Sequence, residues 1–246
     1  MSLKKSSALL TLLKNLIPYD FRQSLKRRIF HVNDMEFRLI NIRRAGFQCT
    51  GLIDGGANVG DWTRHFWKIF PGVPSIMVEP LPEMMDVLNG LARSVEGSMV
   101  VTSALGAEPG KVKFRSSDTN SGVVTSVENT TDTIIEVNVV TIDSVLEKSS
   151  IKPNLLKLDL QGFELEAMKG CRSLADSFEV IITEVSVLRI GDVPIFTEVD
   201  KFLEQRNFRL YDVVPQYYRP LDGALWQCDA IYVRKDSPLI KSREWN

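Results

Sequence analysis

The sequence predicts an α/β fold built on a mostly parallel sheet, and three observations carry that expectation. From Thr50 onward, short apolar runs of strand length alternate with segments at helical spacing, the rhythm of a sheet covered on both faces. The first run, Leu52-Ile53-Asp54, ends in an acid, turns on Gly55-Gly56 and enters a helix near Asn58-Val59-Gly60. Later runs also close on acids, at Glu79, Asp159 and Glu184.

The elements follow in order. Residues 3–48 read as helices, with Leu9, Leu10, Leu13, Leu16 and Ile17 at helical spacing up to Pro18, a second helix over 20–30 and a third over 34–45. This gives an N-terminal helical extension over 1–48, ahead of one domain over 49–246. Strands are expected at 51–54, 75–79, 99–104, 155–159 and 180–184. Helices are expected at 58–69, at 82–93 where Pro82 suits a first turn, at 142–148, at 163–175 and at 195–206. Residues 111–140 break the rhythm. Lys111-Val112-Lys113-Phe114 alternates, and 123–127 and 134–140 are strand-like, so a small β insert of antiparallel strands is expected beside the main sheet. Strands at 209–213 and 230–234 complete a seven-stranded sheet. Their connection is too short for a helical crossover, so they pair antiparallel.

Composition excludes several classes. The 246 residues are 44% hydrophobic and 25% charged, ordinary for a globular protein that buries a full core. A net charge of −1 gives no general affinity for nucleic acid or membrane. The balance is uneven, with ten Lys/Arg against three Asp/Glu in residues 1–48. That basic segment reads either as an element making weak peripheral contact with an anionic membrane through residues 1–30, or covering the active site, or as a packed cap with a solvated basic face. The run Ala8 to Leu13 is cut by Lys14, and no run reaches the roughly 18 apolar residues of a membrane span. Cys49, Cys171 and Cys228 are odd in number and widely spaced, which argues against a disulfide framework. The expected location is the cytoplasm.

The loop chemistry narrows the ligand. A dinucleotide fingerprint has G-x-G-x-x-G, whereas Gly56, Asn58 and Gly60 fall at every second position behind an acid. That spacing disfavours a nicotinamide-dependent oxidoreductase and suits a nucleoside without pyrophosphate. The helix-start N–H groups are expected to face the ligand. Glu79 lies nineteen residues beyond Gly60, where an acid typically accepts from ribose hydroxyls. Ligands of open α/β sheets bind beyond the carboxyl ends of strands, so these acids should line one crevice.

The chain resembles the FkbM-type family of S-adenosylmethionine-dependent methyltransferases. The matching stretches are Ile53 to Gly60, Val78-Glu79-Pro80, Ala104-Leu105-Gly106, Val140-Thr141-Ile142-Asp143, Leu156 to Glu164 and Ile182-Thr183-Glu184. The family pattern at the fourth strand reads D-V-E-G-x-E, and Gln161 stands here in place of the middle acid. The resemblance implies a Rossmann-like class I methyltransferase sheet and S-adenosyl-L-methionine as cofactor. Asp54 and the loop Gly55, Gly56, Ala57, Asn58 and Gly60 would cradle its methionine part. Glu79, with Pro80 beside it, would take the ribose, and Ser103, Ala104 and Leu105 would border the adenine. Asp159 would face the methyl and amino end.

Methyl transfer to a hydroxyl needs the acceptor oxygen held about 3 Å from the methyl carbon and a group to take its proton. His65 sits inside a helix and reads as structural, so a carboxylate is the expected base, with Asp159, Glu164 and Glu184 as candidates. Glu164 has an alternative role at its own helix start, and Glu184 one in pairing with an arginine. Asp159 and Glu184 would offer hard ligands to a divalent cation, but no third ligand is evident and no metal is assigned. The acceptor implied is a small molecule or glycan: a sugar, a glycan precursor or a secondary metabolite. The loop Asp118 to Gly122 reads either as an acceptor contact or as a hairpin turn. Tyr217, Tyr218 and Trp226 read either as a stacking surface for sugar or lipid or as a core or surface patch. The competing class is a non-catalytic scaffold that keeps the fold, which the change at Gln161 leaves open.

Overall fold

The computed structural model describes residues 34–116, 122–123 and 133–242. In chain order its main elements are α1 (Asp34–Arg44), β1 (Leu52–Gly55), α2 (Asp61–Ile69), β2 (Ser75–Val78), α3 (Met85–Ala92), β3 (Met99–Val101), β4 (Ala104–Leu105), β5 (Gly110–Ser116), β6 (Gly122–Val123) and β7 (Thr133–Val140). They continue with α4 (Ile142–Lys148), β8 (Leu155–Leu158), α5 (Glu164–Lys169), α6 (Leu174–Ser177), β9 (Val180–Ser186), α7 (Phe196–Glu204), β10 (Phe208–Tyr218) and β11 (Leu225–Arg234). The expected helices at 3–17 and 20–30, His31 and most of the loop from Asp118 lie outside the described residues.

The main sheet has seven strands in the order β10-β11-β9-β8-β1-β2-β3. Neighbours from β3 across to β9 pair in parallel, and β11 runs antiparallel to both β9 and β10. The short runs of β1, β2 and β8 are buried at every residue, as strands covered on both faces must be. Successive side chains go to opposite faces. Ile53, Leu156 and Ile181 enter one core with Phe178 and Phe208, while Leu52, Leu155 and Val180 enter the other with Phe66 and Ile231. Leu39 and Ile42 of α1 belong to that second core, so the helix packs on the sheet. It runs against α2, where Glu36 meets His65 and Arg43 reaches the carbonyl of Ile69. His65 is therefore held in a helix–helix contact. No helix among the described residues is long and apolar enough to cross a membrane.

Four of the boundaries that differ from the sequence expectation have a direct physical reason. The strand expected at 99–104 breaks where Ser103 N–H donates to the Val101 carbonyl, and β4 turns away into a second sheet of order β4-β7-β5-β6. There β5 is antiparallel to β6 and β7, as expected, but β4 and β7 are parallel. The helix expected at 163–175 divides into α5 and α6. At the break Gly170 passes so close to Gly106 that a Cβ would lie 2.1 Å from its carbonyl oxygen. The helix expected from 82 starts as a 3-10 turn at Pro82–Met84. Finally, β10 runs on through Pro215, which an edge strand tolerates because its outer N–H needs no partner.

Candidate active site

The carboxyl ends of β1, β2 and β8 converge on one cavity. Of the residues assigned to a cofactor, Gly56, Asn58, Glu79, Pro80, Ser103, Ala104, Leu105 and Asp159 line it. Asp54, Gly55, Ala57 and Gly60 do not. Gly56 explains the tight turn: its φ is +73°, and a Cβ would lie 2.0 Å from the Asp159 carbonyl oxygen, an approach only glycine permits.

Four N–H groups ahead of the helix start are occupied within the protein rather than turned to a ligand. Those of Gly56 and Ala57 both donate to the Val78 carbonyl, at 2.9 and 3.1 Å, and that of Gly60 donates to Ala57 at 2.7 Å. The N–H of Asn58 donates to Glu79 Oε2 at 2.9 Å. The loop is a closed frame rather than an anion cradle, in keeping with a ligand that carries no phosphate.

Asp54 is fully buried and serves that frame. Its Oδ2 accepts from Thr63 Oγ1 at 2.6 Å, and its Oδ1 meets Lys157 Nζ at 3.0 Å as an ion pair outside hydrogen-bond geometry. Lys157 also donates to the carbonyls of Gly55 and Gly56 at 3.3 and 3.1 Å. Sequence reasoning assigned Lys157 no role. The signal was present, a single cation inside the apolar run Leu155 to Leu158.

The cavity fits a nucleoside with a cationic tail. Glu79 is 4% exposed, and its oxygens accept one N–H each, from Asn58 and from Leu81 at 3.1 Å. A carboxylate has about four acceptor sites, so capacity remains for both hydroxyls of a ribose. Burial pushes the Glu79 carboxyl up despite those two donors. Leu81, Ala104, Leu105 and Phe114 give an apolar wall on one side, and Asp159 gives an acid on another. Phe114 and Val123 bring the β insert into this wall, and Phe163, the residue just ahead of α5, also lines the cavity. The alternation of Lys111 to Phe114 marked an apolar face, but not which cavity it meets.

A second cavity adjoins the first through Val123 and Gln161, which line both. Glu164, Glu184, Trp226 and Gln227 line it, with Arg115, Ser186 and Asp192. Glu164 is the first residue of α5, and its Oε1 accepts from the N–H groups of Leu160 and Gly162 at 2.6 and 3.1 Å. It braces the turn before its own helix. Burial pushes its carboxyl up to about 7. Glu184 accepts from Gln227 Nε2 at 3.2 Å. Its carboxyl is pushed up to about 8 by burial and then by the charges of Asp159, Glu164 and Asp229. Asp229 faces Glu184 across the β9–β11 ladder and is pushed up to about 6, chiefly by burial. Nothing in the sequence singled it out. Asp159 accepts from Gln161 Nε2 at 2.9 Å.

Asp159, Glu164 and Glu184 each offer a carboxylate oxygen, all within 4.8 Å of one another. Glu164 thus adds a third carboxylate oxygen beside Asp159 and Glu184, a juxtaposition that the sequence did not reveal. Tyr217 meets Trp226 at a tilt, with ring planes 51° and centroids 6.4 Å apart, and Trp226 lines the second cavity.

The methyltransferase FkbM domain matches residues 54–210, and the chain belongs to that family. It is 26% identical over 167 residues to the hexuronic acid methyltransferase AglP of Haloferax volcanii, covering 64% of this chain and 68% of that protein. Among solved structures it is similar to magnesium protoporphyrin IX methyltransferase of Synechocystis PCC 6803, crystallised with bound SAH, with TM-score 0.49 and 12% identity over 89% of this chain and 88% of that one. It is also similar to an S-adenosylmethionine-dependent methyltransferase of Clostridium acetobutylicum, with TM-score 0.48 and 9% identity over 88% and 98% of the two chains. The protein is a methyltransferase by family, with S-adenosylmethionine as the expected cofactor.

Proposed function

We propose that this protein transfers a methyl group to a hydroxyl oxygen of a sugar-type acceptor, with Glu184 taking the proton. The observation that carries the reading is the junction of the two cavities. A slot built for a nucleoside opens, past Gln161 and Val123, onto a pocket with a buried carboxylate at its wall.

When bound, S-adenosylmethionine supplies an electrophilic methyl group on a sulfonium. Glu79 holds the ribose, and Asp159 favours the cationic end at the junction. Trp226 and Gln227 present an aromatic face and an amide to the acceptor, a pairing suited to a hydroxylated ring. Of the three candidate bases, Glu164 is committed to the turn at Leu160–Gly162, and Asp159 accepts from Gln161 and also lies 4.0 Å from the Lys157 ammonium. Glu184 has one amide partner and a carboxyl pushed up to about 8, near the range where a general base works best. The relative that acts on a hexuronic acid supports a sugar acceptor. Three unpaired cysteines support a reducing compartment, the cytoplasm.

The test is a methyl-transfer screen with labelled cofactor against sugars, uronic acids and hydroxylated metabolites, run with and without Mg²⁺. Label on the oxygen of a sugar is the expected result. Tight binding of S-adenosylhomocysteine with no acceptor methylated anywhere in the panel would favour the scaffold reading. Label on nitrogen would overturn the O-methylation.

A further inference from the structure

We propose that Lys157 is a positioning residue whose fixed charge sets how strongly the crevice prefers the cationic methyl donor over its neutral by-product. The proposal rests on the cofactor named above, not on the acceptor.

Lys157 is 5% exposed, and its donors are taken up inside the protein. Its ammonium lies 3.0 Å from Asp54 Oδ1, 3.1 Å from the Gly56 carbonyl, 3.3 Å from the Gly55 carbonyl and 4.0 Å from Asp159 Oδ2. The Trp62 ring of α2 closes one side, with its centroid 6.0 Å from Nζ. A group so enclosed touches no ligand and is neither base nor nucleophile. Burial works against its charge, yet Asp54 and Asp159 outweigh that penalty and hold the ammonium protonated.

Its charge is nevertheless placed where it matters. Gly56 and Asp159 both line the cofactor cavity, and Lys157 is bound to the first and beside the second. Asp54 and Asp159 attract a cation at that end, with Asp229 of β11 further off, and Lys157 repels it. A buried lysine is costly, and a neutral residue could hold the two carbonyls. What a neutral residue could not supply is a positive charge that offsets the acids.

The methyl donor and S-adenosylhomocysteine share adenine, ribose and amino-acid groups. They differ by one methyl and one positive charge on sulfur. Changes in folding, loop order or packing alter both affinities together and largely cancel in their ratio. A fixed charge near the sulfur does not cancel. A unit charge in a partly buried crevice changes the ratio by about tenfold.

The experiment is calorimetric titration of S-adenosylmethionine and of S-adenosylhomocysteine into wild type, Lys157→Met, Lys157→Gln and Asp54→Asn. Removing the cation should raise the donor-to-by-product affinity ratio by about tenfold. Asp54→Asn, which leaves the cation only the more distant Asp159 to offset it, should lower it. The Gln variant keeps donors for the Gly55 and Gly56 carbonyls, so it carries the test should the Met variant fail to fold. Folded variants whose two affinities fall together, with the ratio unmoved, would overturn the proposal. A wild-type protein that binds neither ligand would overturn the cofactor reading instead.

Discussion

The two halves of the crevice are built on opposite principles. On the glycine-loop side Asp54, Lys157 and Glu79 all have partners within the protein: Asp54 meets Thr63 and Lys157, Lys157 donates to the Gly55 and Gly56 carbonyls, and Glu79 accepts from the N–H groups of Asn58 and Leu81. On the other side Glu184 and Asp229 have one amide partner each, from Gln227 and Gln216. There burial and mutual repulsion push carboxyls up to about 7, 8 and 6 at Glu164, Glu184 and Asp229. A satisfied network rigidifies, and a partly satisfied one stores unfavourable charge. The first half is a frame finished before any ligand arrives. In the second, burial and like charge make a proton on Glu184 favourable, so a proton taken from an acceptor is readily held there.

The largest effect expected from this contrast is on turnover. Glu184→Gln keeps size and hydrogen bonding but cannot accept a proton. Methyl transfer at saturating cofactor should fall by roughly 10²- to 10⁴-fold, the worth of a general base. Affinity for S-adenosylhomocysteine, measured by calorimetry, should stay within about twofold, because the loop-side frame does not include Glu184. A parallel loss of cofactor affinity would show that the halves are not independent. Wild-type rate should also rise as pH passes through the Glu184 value near 8, since only the carboxylate can take a proton.

Next in size is a change on the finished side. Glu79→Ala removes the proposed ribose acceptor and strands the N–H groups of Asn58 and Leu81. Cofactor affinity should weaken by about 1.5–3 kcal/mol, the usual worth of hydrogen bonds to a charged group. The rate with saturating cofactor should fall far less than in the Glu184 variant. Unchanged affinity in calorimetry would remove Glu79 from the site.

The same contrast explains what the sequence made legible. Parallel strands buried on both faces appear as short apolar runs, and their carboxyl ends carry the ligand groups. So Asp54, Gly56, Glu79 and Asp159 could be read in order along the chain. What those groups bond to could not. The Val78 carbonyl that occupies two loop N–H groups sits on a neighbouring strand, and Asp54 meets Lys157 only because the β1–β8 register sets them opposite. Asp54 therefore read as a ligand group when it is part of the frame. Asp229 was invisible for a related reason. It lies within an antiparallel strand, and only the β9–β11 register brings it to Glu184. Glu164 was legible as a candidate, but its place as a third carboxylate beside Asp159 and Glu184 depends on the turn at Gln161, whose φ is +53°.

The smallest expected effect concerns stability, and it separates stored charge from simple burial. Folding pushes the Glu184 carboxyl up from its ordinary 4.5 to about 8, through burial and then the neighbouring acids. A carboxyl raised on folding favours the native state fully below the unfolded value, and that advantage is lost as pH climbs through the folded one. Between pH 5 and 8.5 the wild type should therefore lose stability that Glu184→Gln retains, on the order of 1 kcal/mol after allowing for the coupling to Glu164 and Asp229. Melting temperatures of the two proteins across this range measure it directly. The curves should diverge as pH rises, with the inactive variant the more stable at the alkaline end. Parallel curves would mean that Glu184 is already ionised at neutral pH. In that case the acceptor side would be as fully compensated as the loop side, and the division between the two halves would fail.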